Sequence, residues 1–331
     1  MMRSRRAFLG GIGSCVGGLG LSGWLGELAS GSEKRVKRWE GRAFGAEVSI
    51  QFTPVEGDGG DLVEDCVDEI DRLEAMFTLY EEDSLLCRLN REGELFDPPK
   101  EFIELLVSAG EVHRVTGGAF DATVQPLWEF YEGYFRAHPG DERGPSEALV
   151  ASVMEKVGWE KVEVRPNRVV LGEAGMALTL NGIVQGFVTD RVAEILAEAG
   201  VVHALVNVGE YRAIGGRFDG SAWRVGIASP EERGAVIDVV ELKDVALATS
   251  GGYGFRFDER GRYHHMISPS GRDFKDVRRS VSVEAPEAVW ADGLATAGSV
   301  MDWVSFGTVI RQLGGVRARL YEGEDLVGEA G

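Results

Sequence analysis

The sequence predicts an α+β fold, in a single domain over residues 41–325. Segments with strand character cluster in the second half of the chain and do not alternate strictly with helices, which favours α+β over a parallel α/β fold. The 331 residues are 44% hydrophobic, enough to bury a sizeable core. No linker divides 41–325 into two domains, and we expect residues 326–331 to form a short tail.

Helices are predicted where apolar residues recur every three or four positions. The first is the clearest, because Leu62, Cys66 and Ile70 share one face while Asp and Glu occupy the other. A later one follows the helix breaker Pro286 and is apolar almost all round, which predicts a buried helix. The predicted helices are 61–77, a short one ending at 90, 102–112, 146–157, 187–199, 288–301 and 304–313.

Strands are predicted where short β-branched or alternating runs lie between Gly, Pro or charged turns. Residues 128–145 are aromatic and polar without a clear period, so we expect a long loop there. The predicted strands are 42–52, 162–164, 168–171, 177–180, 203–208, 222–228, 236–242, 245–249, 253–257, 263–267, 280–285 and 317–322.

The first thirty residues resemble an export signal and not part of the fold. Ser4-Arg5-Arg6-Ala7-Phe8-Leu9 precedes a Gly-rich, weakly apolar run, a pattern typical of twin-arginine signals, although a basic tail is the alternative. We therefore expect residues 1–30 to be a signal peptide, 31–40 a linker, and the protein to be exported to the periplasm. Cys15 lies in a lipoprotein-like box, so membrane association through lipidation stays open.

The charge of the chain limits its partners. Its 35 basic and 54 acidic residues give a formal net charge of −19, and no basic tract occurs beyond the N-terminus. This pattern argues against a nucleic-acid partner. A phosphate-bearing ligand would need local cations in such a protein, supplied by Arg or Lys side chains or by a metal ion.

The buried helix carries two oxygen-bearing side chains that suggest a cation site. Asp292 and Thr296 stand four positions apart, so on a helix their side chains share one face about 6 Å apart. A carboxylate and a hydroxyl placed together are half of a site for a hard cation. The alternative is a surface Asp and a Thr that bonds to a helical carbonyl.

Two other stretches contain candidate functional residues. The Gly-rich turn at 181–186 joins a predicted strand to a helix, where backbone N–H groups can bind phosphate, but the signal is weak and an ordinary turn is the better explanation. His264 and His265 are adjacent on a predicted strand, and such a pair is more often structural than catalytic. Thr249-Ser250-Gly251-Gly252 does not match G-x-S-x-G, so a serine hydrolase has little support.

Taken in order, seven stretches resemble the ApbE family, the FAD:protein FMN transferases. The resemblance covers nearly all of residues 40–325. The stretches are Tyr80 with Asp83-Ser84 and Leu89-Asn90; Thr116-Gly117-Gly118-Ala119-Phe120-Asp121; Leu180, Gly182-Ile183, Gly186 and Asp190-Arg191; Leu205-Val206-Asn207-Val208-Gly209; Ala248-Thr249-Ser250-Gly251; His264-His265 with Pro269; and Ala291-Asp292-Gly293-Leu294-Ala295-Thr296.

The resemblance implies a two-lobed domain with mixed or antiparallel sheets flanked by helices and a flavin cleft between the lobes. It further implies that FAD binds as substrate with Mg²⁺ on its diphosphate. A Ser or Thr hydroxyl of an acceptor flavoprotein attacks the FMN-side phosphorus, and AMP leaves. The chemistry is that of phosphoryl transfer, in which positioning and neutralisation of charge lower the barrier.

The resemblance also assigns roles to residues of this chain. It implies that Asp292, Thr296 and the Gly182 carbonyl bind the metal. It assigns His265 as the general base that accepts the proton of the incoming hydroxyl. The remaining matched positions imply contacts with the flavin nucleotide, and they are Phe44, Tyr80, Ala119, Phe120, Asp121, Thr179, Gln185 and Ile267.

Several positions depart from the family pattern. Thr179, Gln185 and Ser268 replace charged residues, and Glu210-Tyr211 stands where the family has Gly-Asn or similar. Flavin binding survives such losses more easily than turnover does. Two alternatives to FMN transfer therefore stay open: hydrolysis of FAD to FMN and AMP, and flavin binding without catalysis.

Overall fold

The structure is a computed structural model that describes residues 36–55 and 61–331. The predicted signal peptide, with Arg5, Arg6 and Cys15, lies outside the described residues. Within the expected linker 31–40, the first strand already begins at Lys37. None of the helices in the described ranges is long and apolar enough to cross a membrane.

The helices and strands form an α+β architecture. The helices are α1 Asp61–Phe77, α2 Leu85–Glu92, α3 Lys100–Val115, α4 Gln125–Ala137, α5 Glu147–Met154, α6 Val184–Glu198, α7 Ala288–Val300 and α8 Trp303–Gln312. The strands are β1 Lys37–Ala43, β2 Ala46–Phe52, β3 Glu94–Phe96, β4 Val162–Arg165, β5 Arg168–Leu171, β6 Ala204–Val208, β7 Tyr211–Ile214, β8 Trp223–Ala228, β9 Val236–Leu242, β10 Ala246–Gly251, β11 Arg279–Ala285, β12 Arg317–Glu322 and β13 Asp325–Ala330.

An eight-stranded sheet with the order β1-β2-β6-β7-β10-β11-β12-β13 organises the fold. Every neighbouring pair in it is antiparallel. Two smaller antiparallel sheets accompany it, with the orders β3-β5-β4 and β8-β9. Antiparallel sheets together with separate helices confirm the predicted α+β class.

Helix α7 lies at the centre of the molecule, packed against α6, β10 and β11. Its small residues allow this close packing: Gly293 faces Val112 of α3, and Gly298 faces the Phe306 ring of α8. Eleven of its thirteen residues are buried. The predicted buried helix is thereby confirmed, and a polar side chain at one of its buried positions, such as Asp292, lies in a low-dielectric interior.

Within the predicted loop 128–145, residues 128–137 instead form most of helix α4, whereas residues 138–145 form no helix or strand, as predicted. Leu127, Tyr131 and Phe135 are buried on one face of it, spaced by four residues. The Tyr131 hydroxyl donates a hydrogen bond to the Gly271 carbonyl at 2.5 Å. The prediction was wrong because this helix buries aromatic rings, whose helix propensity is low and whose tertiary packing the sequence pattern does not show.

Three predicted strands are also corrected. Residues 253–257 and 263–267 meet in one isolated bridge between Arg256 and His264, not in a ladder. Residues 177–180 are extended but find no partner strand: the Asn90 side chain bonds both backbone groups of Leu178, and Thr179 N donates to Ala122 O. In contrast, the expected tail after residue 325 contains β13, which pairs with β12. Pairing partners, not local pattern, decided each case.

Candidate functional site

Asp292 lies in the interior, where α6 and α7 cross closely. Its side chain is 1% exposed, and Oδ2 accepts a hydrogen bond from Gly186 N at 3.0 Å. The crossing requires glycine, because a Cβ on Gly186 would lie 2.6 Å from the Ala288 carbonyl carbon and 2.8 Å from Asp292 Cβ. Burial raises the pKa of Asp292 to about 7, so its anionic form is poorly stabilised without a cation.

A second carboxylate fixes the start of α7. Asp190 of α6 accepts hydrogen bonds from Ala288 N and Val289 N, each at 2.9 Å, and pairs with Arg212 at 3.1 Å. A carboxylate at a helix N-terminus satisfies free N–H groups and the helix dipole. Asp190 therefore sets the position of α7, and with it that of Asp292.

Thr296 and Gly182 complete the predicted cation-binding set. The Thr296 hydroxyl donates to the Gly182 carbonyl at 3.1 Å, across 114 positions of sequence. It also lies 3.4 Å from Ser250 Oγ. Thr296 and Gly182 are half-buried, whereas Asp292 is buried. The hydroxyl and the carbonyl therefore lie closer to solvent than the Asp292 carboxylate does. The structure thus joins the predicted hydroxyl to the predicted carbonyl, and it holds the Asp292 carboxylate of the same helix on Gly186 N, four residues after Gly182.

The turn before α6 presents a carbonyl and not a set of free N–H groups. Ile183 N and Val184 N both donate to Leu180 O, and Gly186 N donates to Asp292. The turn is therefore less suited to direct phosphate binding than its sequence suggested. Its Gly182 carbonyl, in contrast, faces the Thr296 hydroxyl.

These oxygen donors fit Mg²⁺ and not zinc. Among the described residues, no group of three or more His, Cys, Asp and Glu side chains could hold a metal ion. Mg²⁺ needs no such group, because it keeps several waters and takes one or two carboxylates together with substrate phosphates. Asp292, Thr296 and the Gly182 carbonyl would supply the protein ligands.

Tyr80 lies beside the turn that carries Gly182. Its side chain is 57% exposed and makes a hydrogen bond with the Asn181 side chain. Its loop is fixed by Ser84, whose hydroxyl donates to Thr78 O at 2.7 Å and accepts from Cys87 N as the cap of α2. An exposed aromatic ring on a fixed loop is free to stack on a planar ligand.

The stretch Ala119-Phe120-Asp121 lies near the same turn through the bond of Thr179 N to Ala122 O. Phe120 is buried, and both carboxylate oxygens of Asp121 serve the protein: Oδ1 accepts from Thr123 and Oδ2 from Trp159 N. In this structure Asp121 therefore holds the loop in shape. Ala119, half-buried, is the residue of the three that remains open to a ligand.

Phe44 and Gln185 lie toward one end of the large sheet. Phe44 occupies the β1–β2 turn with φ of 50°, and its N–H donates to the Glu74 carboxylate at 2.6 Å. The register of β2 on β6 pairs Val48 with Val208, so this turn extends beyond the end of β6, where Gly209 follows. The buried Gln185 side chain packs there, because a Cβ on Gly209 would lie 2.5 Å from its Cδ.

His265 lies on the irregular segment beside the end of β10. Its Nδ1 is 3.1 Å from Phe255 O and 3.2 Å from Phe255 N. Burial lowers the pKa of His265 to about 4, so the ring is neutral at pH 7. The neighbouring His264 packs against Gly252, two positions from Ser250, which links this segment to Thr296.

Ile267 and Ser268 belong to the packing around that segment. Ile267 is 6% exposed and lies in the aromatic cluster with Leu127 and Tyr131 of α4. Ser268 closes a turn in which Gly271 N donates to its carbonyl at 2.8 Å. The side chain of Ile267 therefore supports the segment that carries His265.

Glu210 is a residue that the sequence marked only as a departure from the family pattern. It is 1% exposed, and its Oε2 accepts from Thr249 N at 3.2 Å. No spacing rule pointed to it, since it follows a strand and Gly209 without a recognisable motif. The one available signal was an acidic residue in an otherwise apolar run.

Comparisons with known proteins agree with this arrangement. The sequence model of the ApbE family matches residues 44–320. A FAD:protein FMN transferase of Haemophilus influenzae is 32% identical over 234 residues, which are 67% of each chain. A FAD:protein FMN transferase of Treponema pallidum is 30% identical over 280 residues, covering 74% of this chain and 75% of that protein.

The chain also resembles solved structures of ApbE proteins. The flavin transferase ApbE from Vibrio cholerae superimposes with a TM-score of 0.74 at 25% identity, over 89% of this chain and 97% of that one. The ApbE protein from Thermotoga maritima superimposes with a TM-score of 0.75 at 28% identity, over 86% and 94%. The family match spans most of the chain and includes Gly182, Asp292 and Thr296. The chain therefore belongs to the ApbE family.

Proposed function

We propose that this protein is a FAD:protein FMN transferase. It moves FMN from FAD to a Ser or Thr hydroxyl of an acceptor protein and releases AMP, with Mg²⁺ held by Asp292, Thr296 and the Gly182 carbonyl. The observation that supports the proposal is the contact between α7 and the start of α6, where the Thr296 hydroxyl bonds the Gly182 carbonyl and the Asp292 carboxylate bonds Gly186 N. The names of the relatives, FAD:protein FMN transferases, support the same reaction.

The residues of the chain have distinct tasks in this reaction. A bound Mg²⁺ supplies positive charge that neutralises the diphosphate. Gly186 N orients the Asp292 carboxylate. The half-buried Thr296 hydroxyl and Gly182 carbonyl lie where a ligand can reach them, and the exposed Tyr80 ring offers a stacking surface for the flavin nucleotide.

His265 takes the proton of the attacking hydroxyl. The acceptor oxygen forms a bond to the FMN phosphorus, the bond from that phosphorus to the bridging oxygen breaks, and AMP leaves with that oxygen. The neutral ring at pH 7 is the form that accepts a proton. Burial keeps the pKa of His265 low, and a negative diphosphate bound nearby would raise it by stabilising the imidazolium.

The three residues that depart from the family pattern, Thr179, Gln185 and Ser268, each contact neighbouring residues of the protein. Thr179 Oγ1 accepts from Asn181 N at 3.4 Å, and Ser268 Oγ lies 2.9 Å from Ser270 Oγ. Gln185 is buried against Gly209. None of the three substitutions leaves a gap in the cation-binding set, and this favours turnover over flavin binding alone.

One assay separates transfer from its alternatives. The purified protein is incubated with FAD, Mg²⁺ and a candidate acceptor domain, and AMP release and acceptor mass are followed. FMN on the acceptor with equimolar AMP is the expected result. AMP without a modified acceptor would indicate FAD hydrolysis, and bound flavin with neither product would indicate a binding protein.

Two variants locate the chemistry. Asp292→Ala should abolish Mg²⁺-dependent turnover, whereas Glu241→Gln, at an exposed carboxylate of β9, should leave it unchanged. His265→Ala should lower the transfer rate by about 10²–10⁴-fold without weakening FAD binding. Full Mg²⁺-dependent activity of the Asp292 variant would refute the metal assignment.

We further propose that the twin-arginine pattern directs export of the folded protein. Replacing Arg5 and Arg6 together by Lys should leave the protein in the cytoplasm, as measured by cell fractionation. Labelling with a radioactive fatty acid, compared between the native chain and Cys15→Ser, tests lipidation. Unchanged export of the double Lys variant would contradict the route.

A further inference from the structure

Glu210 carries a buried carboxylate that the reaction described above does not use. One oxygen, Oε2, accepts a hydrogen bond from Thr249 N at 3.2 Å. The other, Oε1, is fully buried and has no hydrogen-bond partner among the described residues. A buried carboxylate with an unsatisfied oxygen is costly, so its presence indicates a ligand that the oxygen is placed to meet.

Strand β10 connects this carboxylate to the helix that carries the proposed metal ligands. Thr249 of β10 binds Glu210 through its backbone N–H. The next residue, Ser250, lies with its hydroxyl 3.4 Å from Thr296 Oγ1. Consecutive residues of one strand therefore contact Glu210 and a proposed metal ligand.

Helix α6 likewise contacts both the backbone next to Glu210 and the Asp292 carboxylate. Gln185 packs against Gly209, the residue before Glu210, and Gly186 donates its N–H to Asp292. Farther along α6, Thr189 Oγ1 donates to the Glu210 carbonyl at 3.1 Å and accepts from Val208 N. The backbone on both sides of Glu210 is thus fixed against the helix that also orients Asp292.

The charges of the two carboxylates act on each other. Burial, together with the negative charge of Asp292, raises the pKa of Glu210 well above its usual range. Without a cation, simultaneous ionisation of the two carboxyls is unfavourable in a low-dielectric interior. Bound divalent metal removes that repulsion and satisfies the free oxygen of Glu210.

We propose that Glu210 is a second carboxylate of the cation site, which binds a hard divalent cation together with Asp292, Thr296 and the Gly182 carbonyl. This inference rests on the proposed function, because it assumes the cation site described there. It gives the site two negative charges instead of one. Higher charge favours divalent over monovalent cations and tightens Mg²⁺ binding before FAD arrives.

The test measures binding of Mn²⁺ in place of Mg²⁺, by the loss of the free Mn²⁺ signal in electron paramagnetic resonance, with no flavin present. Native protein, Glu210→Gln and Asp292→Asn are compared, with Glu241→Gln as a control that removes one exposed carboxylate of β9. We expect Glu210→Gln to bind Mn²⁺ at least tenfold more weakly and Glu241→Gln to bind like the native protein. Glu210→Asp keeps the charge and should recover part of the affinity.

Thermal unfolding separates a ligand role from a structural one. Without metal, Glu210→Gln should melt at or above the temperature of the native protein, because the amide replaces a buried carboxyl whose ionisation is unfavourable there. Added Mg²⁺ should raise its melting temperature less than that of the native protein. Lower metal-free stability with an unchanged response to Mg²⁺ would make Glu210 structural and overturn the inference.

The outcomes distinguish this inference from the proposed function. If the native protein binds Mn²⁺, Asp292→Asn does not, and Glu210→Gln binds as tightly as the native protein, the inference alone is overturned. If the native protein itself binds no Mn²⁺, the proposed cation site fails, and the role of Glu210 fails with it.

Discussion

Replacing Gly186 by Ala tests whether the close crossing of α6 and α7 holds the Asp292 carboxylate in place. An added Cβ would lie 2.6 Å from the Ala288 carbonyl carbon and 2.8 Å from Asp292 Cβ. Both distances are well inside van der Waals contact. One neighbour is backbone and the other begins a buried side chain, so neither can rotate away and the helices must separate.

The expected magnitude follows from three opposing contributions. Alanine in a helix gains about 0.5–1 kcal/mol over glycine. Overpacking costs about 1–3 kcal/mol, and loss of the bond from Gly186 N to the Asp292 carboxylate costs about 1.5–3 kcal/mol more. We therefore expect a net loss of about 1.5–5.5 kcal/mol in the free energy of unfolding, together with loss of metal binding.

Gly133→Ala is the matched control. Gly133 is exposed on α4, and a Cβ there would meet no atom within 4 Å. The same substitution should therefore stabilise the protein by about 0.5–1 kcal/mol. Urea unfolding in the absence of metal measures both variants. Stability of Gly186→Ala equal to or above that of the native protein would refute the argument that this crossing is sterically closed to a side chain.

Three further predictions concern the elements around the site. Asp190→Asn should destabilise the protein by about 1–2 kcal/mol in urea unfolding near pH 5, because it weakens the cap of α7; unchanged stability would contradict this role. Burial raises the pKa of Asp190 to about 6, so between about pH 4 and 6 the folded state binds more protons than the unfolded state, and stability falls as pH rises. The stability of the native protein relative to Asp190→Asn should therefore decrease from pH 4 to pH 6. A stability difference between the two proteins that does not change with pH would contradict the raised pKa of Asp190. Tyr131→Phe should cost about 1–2 kcal/mol in thermal unfolding, because the buried Gly271 carbonyl loses its donor; no loss would argue against this link to α4.

Local sequence patterns predict the elements whose contacts are local. The periodicity of α1 and the apolar composition of α7 identified both helices, because helical contacts repeat within a few residues. The local pattern failed for α4, whose helix depends on a distant aromatic cluster that includes Phe274 and Tyr263. It also failed for 177–180, which is held extended by the Asn90 side chain, a partner that no β pattern anticipates.

The same division applies to the candidate site. The i,i+4 spacing of Asp292 and Thr296 is enough to place both side chains on one helix face, because helix geometry is local. The contact of Thr296 with the Gly182 carbonyl spans 114 positions of sequence and depends on how α6 packs on α7. The burial of Glu210 beside them is likewise a tertiary outcome, since residue type alone predicts an exposed glutamate. The sequence by itself determined which oxygens α7 offers to a cation. Tertiary packing decided which other groups join them, because it alone sets distances between remote segments and the desolvation of the charges they carry.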